Sequence, residues 1–136
     1  MDNQFKEMCA ELQEKIRSSY ETSVTLDQAE KLAAEFLYAQ MRVAQVLESS
    51  DLDARMKRSG NKAIRAAVYL SEATKSDKKP SDVMLNALVD TSPEVSGSQD
   101  AYDAAEAEKN LLENYYQIFR EAHIYYRGLA KQSAGF

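Results

Sequence analysis

The side chains of this chain that are best suited to chemistry are cations gathered in one block. Between Arg55 and Lys79 the sequence contains eight basic residues and two acidic ones, which gives the block a net charge of +6. The whole chain carries −5, so the residues outside the block sum to −11. Because an acidic protein as a whole repels a polyanion, this concentration of cations indicates an anion-binding surface confined to the block.

The spacing of the cations favours a nucleic-acid strand as the anion. At about 100° per residue, five residues fall within a helical stripe about 80° wide. We name them the basic stripe: Arg55, Arg58, Lys62, Arg65 and Tyr69. Cations interleaved with an aromatic ring suit a single strand, because phosphates contact the cations and a base stacks on the ring. Together with Lys57, these residues are the predicted DNA-binding set.

The opposite side of the same helix is apolar. Its residues, which we name the apolar face, are Leu52, Met56, Ala63, Ala67 and Leu70. We expect this face to back the basic stripe by packing against the rest of the protein. The stripe has a second interpretation as an ordinary exposed helix face, whose cations pair with acids elsewhere in a helical bundle.

No catalytic constellation is visible in the sequence. The single histidine, His123, and the single cysteine, Cys9, cannot form a metal site of nitrogen and sulfur ligands within one chain. A glycine-rich phosphate loop, a zinc-protease motif and a nucleophile elbow are missing. The acidic run at 100–108 contains no histidine and is interpreted as a solvated helix face. We therefore expect no enzyme activity, no metal and no cofactor.

Composition predicts an all-α protein of one domain. The 136 residues include four Gly and two Pro and are dominated by helix formers. One cysteine excludes an internal disulfide framework and favours a reducing compartment. No apolar run approaches the ~20 residues that a membrane span requires, and the polar N-terminus does not resemble a signal peptide. We expect a soluble, cytoplasmic protein.

The first predicted elements are an amphipathic helix within residues 1–24 and the core and basic helices within 25–79. Thr25 and Gln28 match a capping box, in which each side chain binds the backbone N–H of the other residue. Whether residues 26–76 form one helix or two stays open, because the segment 49–51 fits both a turn and a continuous rod. Gly60 fits either the close approach of a neighbouring backbone or a kink.

Two further elements are predicted after Pro80. This proline ends the basic helix, because the residue before a proline avoids helical geometry. Ser81 caps a short helix and turn within 80–98. Pro93 signals a restart, which Gly97 is expected to fray, so that a long C-terminal helix occupies 99–132. The predicted architecture is an elongated all-α hairpin or bundle.

The C-terminal helix is predicted to form an oligomer. Its second half is apolar around most of its circumference and needs more burial than one neighbour provides. Because a small domain has little spare core, we expect other copies of the chain to supply the burial. The predicted contact residues are Leu112, Tyr115, Tyr116, Phe119 and Tyr126. The alternative is a helix packed centrally within one monomer.

Three segments resemble a known family. They are Lys62-Ala-Ile-Arg-Ala-Ala-Val-Tyr-Leu70, the segment 82–95 with its acids and aliphatics, and an aromatic C-terminal helix that ends in Arg127-Gly-Leu-Ala-Lys131. In these segments, and in architecture over residues 27–131, the chain resembles the UvsY-type recombination mediators of tailed phages.

The resemblance implies a non-enzymatic protein that binds single-stranded DNA as a ring-like homo-oligomer. Such mediators help load a RecA-like recombinase onto DNA coated with single-strand-binding protein, in recombination, repair and replication. The cytoplasm of a phage-infected bacterium is the implied setting. Lys62 and Arg65 match the family's DNA-contacting basic pair, and Arg58 lies one turn before them. The chain departs from the family in being acidic overall, which makes binding more dependent on assembly and on salt.

Two other functions stay open at this point. One is a non-enzymatic helical adaptor or assembly protein whose basic stripe binds an acidic protein partner. The other is an acidic decoy that occupies a DNA-binding protein, and the basic block weighs against it. Binding of labelled oligo-dT at low salt distinguishes the mediator from the adaptor.

Overall fold

A computed structural model describes residues 1–75 and 77–133, with the side chains of Tyr20 and Ser133 left undescribed. Over this range it contains four helices and no strand: α1 (Asn3–Glu21), α2 (Leu26–Thr74), α3 (Asp82–Thr91) and α4 (Pro93–Ser133). The all-α prediction is confirmed. The chain divides into two compact units, which are residues 1–48 with the chain from Leu111 onward, and Ser49–Asn110.

Polar side chains cap the first turns of three helices. At α1, the Asp2 carboxylate accepts a hydrogen bond from the Phe5 backbone N–H at 2.7 Å. At α2, the Thr25 N–H donates to Gln28 Oε1 at 3.0 Å and the Gln28 N–H donates to Thr25 Oγ1 at 3.3 Å. The predicted capping box is therefore confirmed. At α3, the Ser81 hydroxyl accepts from the Met84 N–H at 3.3 Å, as its sequence position predicts.

α2 is one continuous helix, and this decides between the two interpretations of the segment 49–51. A Cβ placed on Gly60 would meet no atom within 4 Å, so no neighbouring backbone of this chain approaches closely there. The helix ends at Thr74, before the predicted end at residue 79, and Ser76 lies outside the described residues. The Thr74 hydroxyl donates to the carbonyl oxygen of Leu70, one turn earlier, at 2.9 Å.

α4 begins at Pro93, earlier than the predicted residue 99. Proline is well tolerated in a first helical turn, where its missing N–H has no intrahelical partner. Gly97 does not fray the start. The next residue, Ser98, is held by two hydrogen bonds: it accepts from Asn61 Nδ2 at 2.7 Å and donates to the Val95 carbonyl at 3.2 Å.

The first unit packs α1, the first part of α2 and the last part of α4 around an aromatic core. The Phe36 ring lies 5.7 Å from that of Phe119 and 5.5 Å from that of Tyr126, between ring centres. The Tyr126 hydroxyl is 2.5 Å from that of Ser19, so that this buried phenol has a hydrogen-bond partner. The buried members of this core are Phe5, Cys9, Leu12, Ala33, Phe36, Ala39, Val43, Leu112, Phe119, Ala122 and Tyr126.

The second unit packs the rest of α2 with α3 and the first part of α4, and its interior is smaller. Its buried residues are Ala54, Asn61, Leu85, Val89, Val95 and Ala105. Asn61 is the one buried polar side chain among the described residues, and its amide donates to Ser98 Oγ. Small side chains and this hydrogen bond define which side of α2 faces inward.

The apolar face therefore lies on the outside, which corrects the expectation that it packs against the rest of the protein. Leu52, Met56 and Leu70 keep 59%, 66% and 63% of their surface exposed. Ala54 and Asn61, on the opposite side of the helix, are buried instead. The inward side is the one that can form the hydrogen bond to Ser98, and hydrophobicity along α2 alone does not predict this.

Candidate nucleic-acid interface

The basic stripe lies in the second unit, on the C-terminal half of α2. Because α2 is helical throughout this region, the five residues share one side of it. Arg55, Arg58 and Lys62 are exposed, whereas Arg65 and Tyr69 are partly covered. The side chains differ mainly in whether a neighbouring acidic residue forms an ion pair or a hydrogen bond with them.

The first cations of the block pair with acids on their own helix. Arg55 Nη2 lies 2.9 Å from Asp51 Oδ2, and Lys57 Nζ lies 3.0 Å from Asp53 Oδ2. Both pairs span four residues, the spacing at which side chains of a helix meet. Lys57 thus lies beside the stripe with its charge engaged by Asp53.

The last members of the stripe meet acids of α3. Arg65 Nη1 lies 3.0 Å from Asp90 Oδ1, and the Tyr69 hydroxyl donates to Asp82 Oδ1 at 2.8 Å. The hydrogen bond to Asp82 raises the pKa of Tyr69 above its ordinary value, because the carboxylate favours the protonated phenol. The sequence interpretation missed both acids as partners of the stripe. The presence of these two acids near the ends of the predicted short helix is the sequence feature that could have indicated them.

Arg58 and Lys62 occupy the middle of the stripe and differ from its other members. Within residues 1–75 and 77–133, neither side chain has an ion pair or a hydrogen bond to another residue. They lie four residues apart, which is one helical turn, and both are exposed. Two neighbouring cations with this freedom can contact successive phosphates of one strand.

A small cavity of about 180 Å³ opens beside Arg55 and Arg58. α4 supplies part of its lining with Tyr102 and Lys109, and Lys109 Nζ lies 3.6 Å from Asp51 Oδ1. These two residues belong to the surroundings of the stripe and were not predicted. No local pattern could have indicated them, because more than forty residues separate them from Arg58.

Three of the five predicted oligomerisation residues are covered within the chain. Leu112, Phe119 and Tyr126 are 0–1% exposed in the core of the first unit. Tyr115 and Tyr116 are half-buried, and the Tyr116 hydroxyl accepts from Gln40 Nε2 at 3.2 Å. Central packing therefore accounts for these three positions, and oligomerisation through α4 stays a prediction. The large apolar residues that α4 leaves exposed are Leu111, Ile118, Ile124 and Tyr125.

Cys9 and His123 both lie in the first unit, where they contact other parts of its fold. Cys9 is buried in the first unit, and burial raises the pKa of its thiol to about 11. His123 Nδ1 lies 2.7 Å from the carbonyl oxygen of Ala33, to which it can donate. Among the described residues, no three His, Cys, Asp or Glu side chains are grouped to hold a metal ion. Within the same residues, no helix has the length and apolar content to cross a membrane.

Comparisons with known proteins give no further indication of function. No protein-family model, no curated protein and no solved structure matches the chain.

Proposed function

We propose that the protein binds single-stranded DNA through the basic stripe and acts as a recombination mediator. In that role it helps load a RecA-like recombinase onto DNA coated with single-strand-binding protein. The observation that carries DNA binding is the pair Arg58 and Lys62, exposed and without an acidic partner in the described part of the chain. The recombination role comes from the resemblance of three sequence segments to UvsY-type mediators.

The ion pairs at the two ends of the stripe are compatible with DNA binding. Arg55 and Arg65 each contact one acid, and all four side chains of these pairs keep at least 31% of their surface exposed. Exposed pairs of this kind stabilise a protein by only about 0–1 kcal/mol. A phosphate can therefore replace Asp51 or Asp90 as the partner of the guanidinium at little cost.

Tyr69 supplies the aromatic surface of the proposed site. Its hydroxyl is held by Asp82 at 2.8 Å, which restricts the rotation of the ring beside the cations. Stacking on such a ring tolerates every base, because each base has a π-face. We therefore expect little sequence preference.

The charge contribution is tested with the double variant Arg58→Ala with Lys62→Ala. Affinity for labelled oligo-dT is measured by fluorescence anisotropy at several salt concentrations. Two lost phosphate contacts should lower the affinity and reduce the slope of log affinity against log salt by about 1.4, because each contact contributes roughly 0.7. The matched control is Lys6→Ala with Lys31→Ala, which changes the net charge equally in the first unit. If the stripe variant binds like the parent at low salt, the adaptor function replaces DNA binding.

The stacking contribution is tested separately at Tyr69. Tyr69→Ala should weaken binding roughly tenfold with the salt slope unchanged, because the ring neutralises no phosphate. Tyr69→Phe keeps the ring, removes the bond to Asp82 and should retain most of the affinity. Equal losses in the two variants would show that the hydroxyl, and no stacked base, accounts for the effect.

The mediator role needs its own assay. With a RecA-like recombinase on oligonucleotide coated with single-strand-binding protein, the parent should shorten the lag before filament assembly. The Arg58→Ala, Lys62→Ala variant should lose this effect. A parent that binds DNA and leaves the lag unchanged would contradict the recombination role while DNA binding stands.

A further inference from the structure

The second unit has more large apolar side chains on its surface than in its interior. Of its described residues, three large aliphatic side chains are buried: Leu85, Val89 and Val95. Six large apolar side chains are exposed, and they are Leu52, Met56, Leu70, Val83, Met84 and Leu88. Exposed apolar surface in a continuous patch marks an interaction site more often than chance. Leu52, Met56 and Leu70 lie together on the apolar face of α2.

Four residues of the apolar face, together with Ser59 and Ala66, lie at coiled-coil spacing and form what we name the seam. Positions 52, 56, 59, 63, 66 and 70 alternate steps of four and three, which keeps one seam of a helix facing a partner helix. Their residues are Leu52, Met56, Ser59, Ala63, Ala66 and Leu70, and all six are exposed. The seam spans about 27 Å at 1.5 Å per residue. The natural occupant is therefore another helix of similar length.

We propose that this occupant is the same segment of a second copy of the chain, packed antiparallel about a two-fold axis that crosses the seam at the level of residue 61, on the side of α2 opposite the buried Asn61 side chain. In this register Leu52 meets Leu70 of the second copy, Met56 meets Ala66, and Ser59 meets Ala63. Each large side chain except the terminal leucines faces a small one, which keeps the two helices at an even distance. The surface is therefore complementary to itself, as a two-fold interface requires.

A parallel pair fits the same seam less well. It would place Met56 against Met56 and Ala63 against Ala63, so that the helices would be held apart at one layer and leave a gap at another. Gaps in a packed interface lose contact energy outright. The even distribution of volume favours the antiparallel arrangement.

On the side of the seam that carries the basic stripe, the antiparallel arrangement brings residues of the two stripes opposite each other. In this register Arg55 lies opposite Tyr69 of the second copy, which pairs a cation with an aromatic ring. Lys62 lies opposite Lys62 of the second copy and is repelled by it. On the other flank Gly60 meets Gly60, and no atom of its own chain lies within 4 Å of a Cβ placed there. Removing the charge of Lys62 should therefore tighten the dimer.

Self-association is measured by sedimentation velocity on the full chain between about 1 and 100 µM, the range in which a short helix pair is expected to dissociate. The parent should gain mass with concentration. Leu70→Glu should lower the mass, because it places a carboxylate opposite Leu52 of the second copy. Val83→Glu, an equally charged change at an exposed residue outside the seam, should leave it unchanged. Circular dichroism confirms that each variant is folded.

Two outcomes of this measurement overturn the proposal. One is a parent that stays monomeric up to 100 µM, an order-of-magnitude limit for modest association. The other is an association that Leu70→Glu leaves intact, since the copies then meet through other surfaces, including the exposed residues of α4. Lys62→Gln should shift the equilibrium toward the dimer, and a shift toward the monomer contradicts the proposed register.

Orientation is tested by disulfide crosslinking. Leu52→Cys mixed with Leu70→Cys should give a crosslinked dimer on oxidation, whereas either variant alone should give little, because each residue then faces an uncrosslinkable leucine. Efficient crosslinking of either variant alone indicates a parallel pair and overturns the antiparallel one. Cys9 is buried and does not compete with the introduced thiols.

Discussion

At the scale of single residues, neighbouring acids separate the cations of the basic stripe into two kinds. Arg58 and Lys62 have no acidic partner within the described chain, whereas Arg65 is engaged by Asp90 at 3.0 Å. The sequence predicts the stripe as a uniform surface, because it contains no information on which acids of α3 lie nearby. The proposed binding of DNA should therefore depend on the acids as well as on the cations.

Asp90→Asn is expected to tighten binding of oligo-dT. The substitution removes the charge that engages Arg65 and frees this cation for a phosphate, so the salt slope should steepen by up to about 0.7. Affinity should rise a few-fold at low salt, as measured by fluorescence anisotropy. Glu94→Gln, which removes an equal charge from the first turn of α4, is the control. If both variants gain affinity equally, net charge accounts for the change and Asp90 has no specific effect.

Cys9 should be unreactive in the folded protein and should couple folding to alkaline pH. The folded-state pKa of about 11 lies above the ordinary 9.0, because burial disfavours the thiolate. The contribution of the buried thiol to the free energy of unfolding is fully present below pH 9. It is lost as the pH rises toward 11, because the thiol of the unfolded chain ionises first. Urea unfolding should show this loss in the parent and a smaller one in Cys9→Ala.

A thiol reagent provides the independent check on Cys9. At pH 8 the native protein should react with it slowly, and one thiol per chain should react at once in guanidinium. Rapid reaction of the native protein would show that the first unit opens readily or that the thiol is accessible.

At the scale of helices, the capping signals place the beginnings of α2 and α3 correctly but not that of α4. Thr25 with Gln28 and Ser81 give caps that the structure confirms, because a cap involves residues within one turn. α4 begins six residues before the predicted residue 99, because Pro93 starts the helix and Gly97 continues it. Asn61, from a distant part of the chain, donates a hydrogen bond to Ser98 in the second turn of α4.

Thr25→Ala should destabilise the first unit by about 1 kcal/mol, because the N–H of Gln28 loses its acceptor at the start of α2. The measurement is the free energy of urea unfolding. Thr22→Ala is the control, since Thr22 follows α1 and its hydroxyl donates only to the Ser18 carbonyl at 3.3 Å. An equal loss in both variants would indicate that the capping box contributes little.

At the scale of the whole molecule, the two units differ in which apolar side chains they bury. The first unit buries its aromatic residues around Phe36, Phe119 and Tyr126. The second unit leaves Leu52, Met56 and Leu70 exposed. Both units expose large apolar side chains, and in the second unit three of them lie on the same helix as the basic stripe. A weak strand-binding surface gains avidity when copies are joined.

The distinction between covered and exposed positions of α4 gives a paired prediction. Phe119→Ala should destabilise the protein by about 3–5 kcal/mol, because it leaves a cavity in the first unit. Ile118→Glu, at a neighbouring residue that is 37% exposed, should destabilise it less, by about 1 kcal/mol. Urea unfolding compares the two. If Ile118→Glu also lowers the mass in sedimentation, α4 takes part in oligomerisation through its exposed residues.

The sequence by itself determined the helical class, the confirmed caps and the grouping of the basic stripe. These features depend on residues within one or two turns of each other, and local propensity, capping and helical periodicity describe such distances well. The tertiary structure decided which side of α2 faces inward, which cations have acidic partners and where the aromatic residues of α4 are buried. Contacts between distant residues, such as Asn61 with Ser98 and Phe36 with Phe119, make these choices. Hydrophobic periodicity identifies the apolar sides of a helix, but the neighbours that pack against it determine which side is buried.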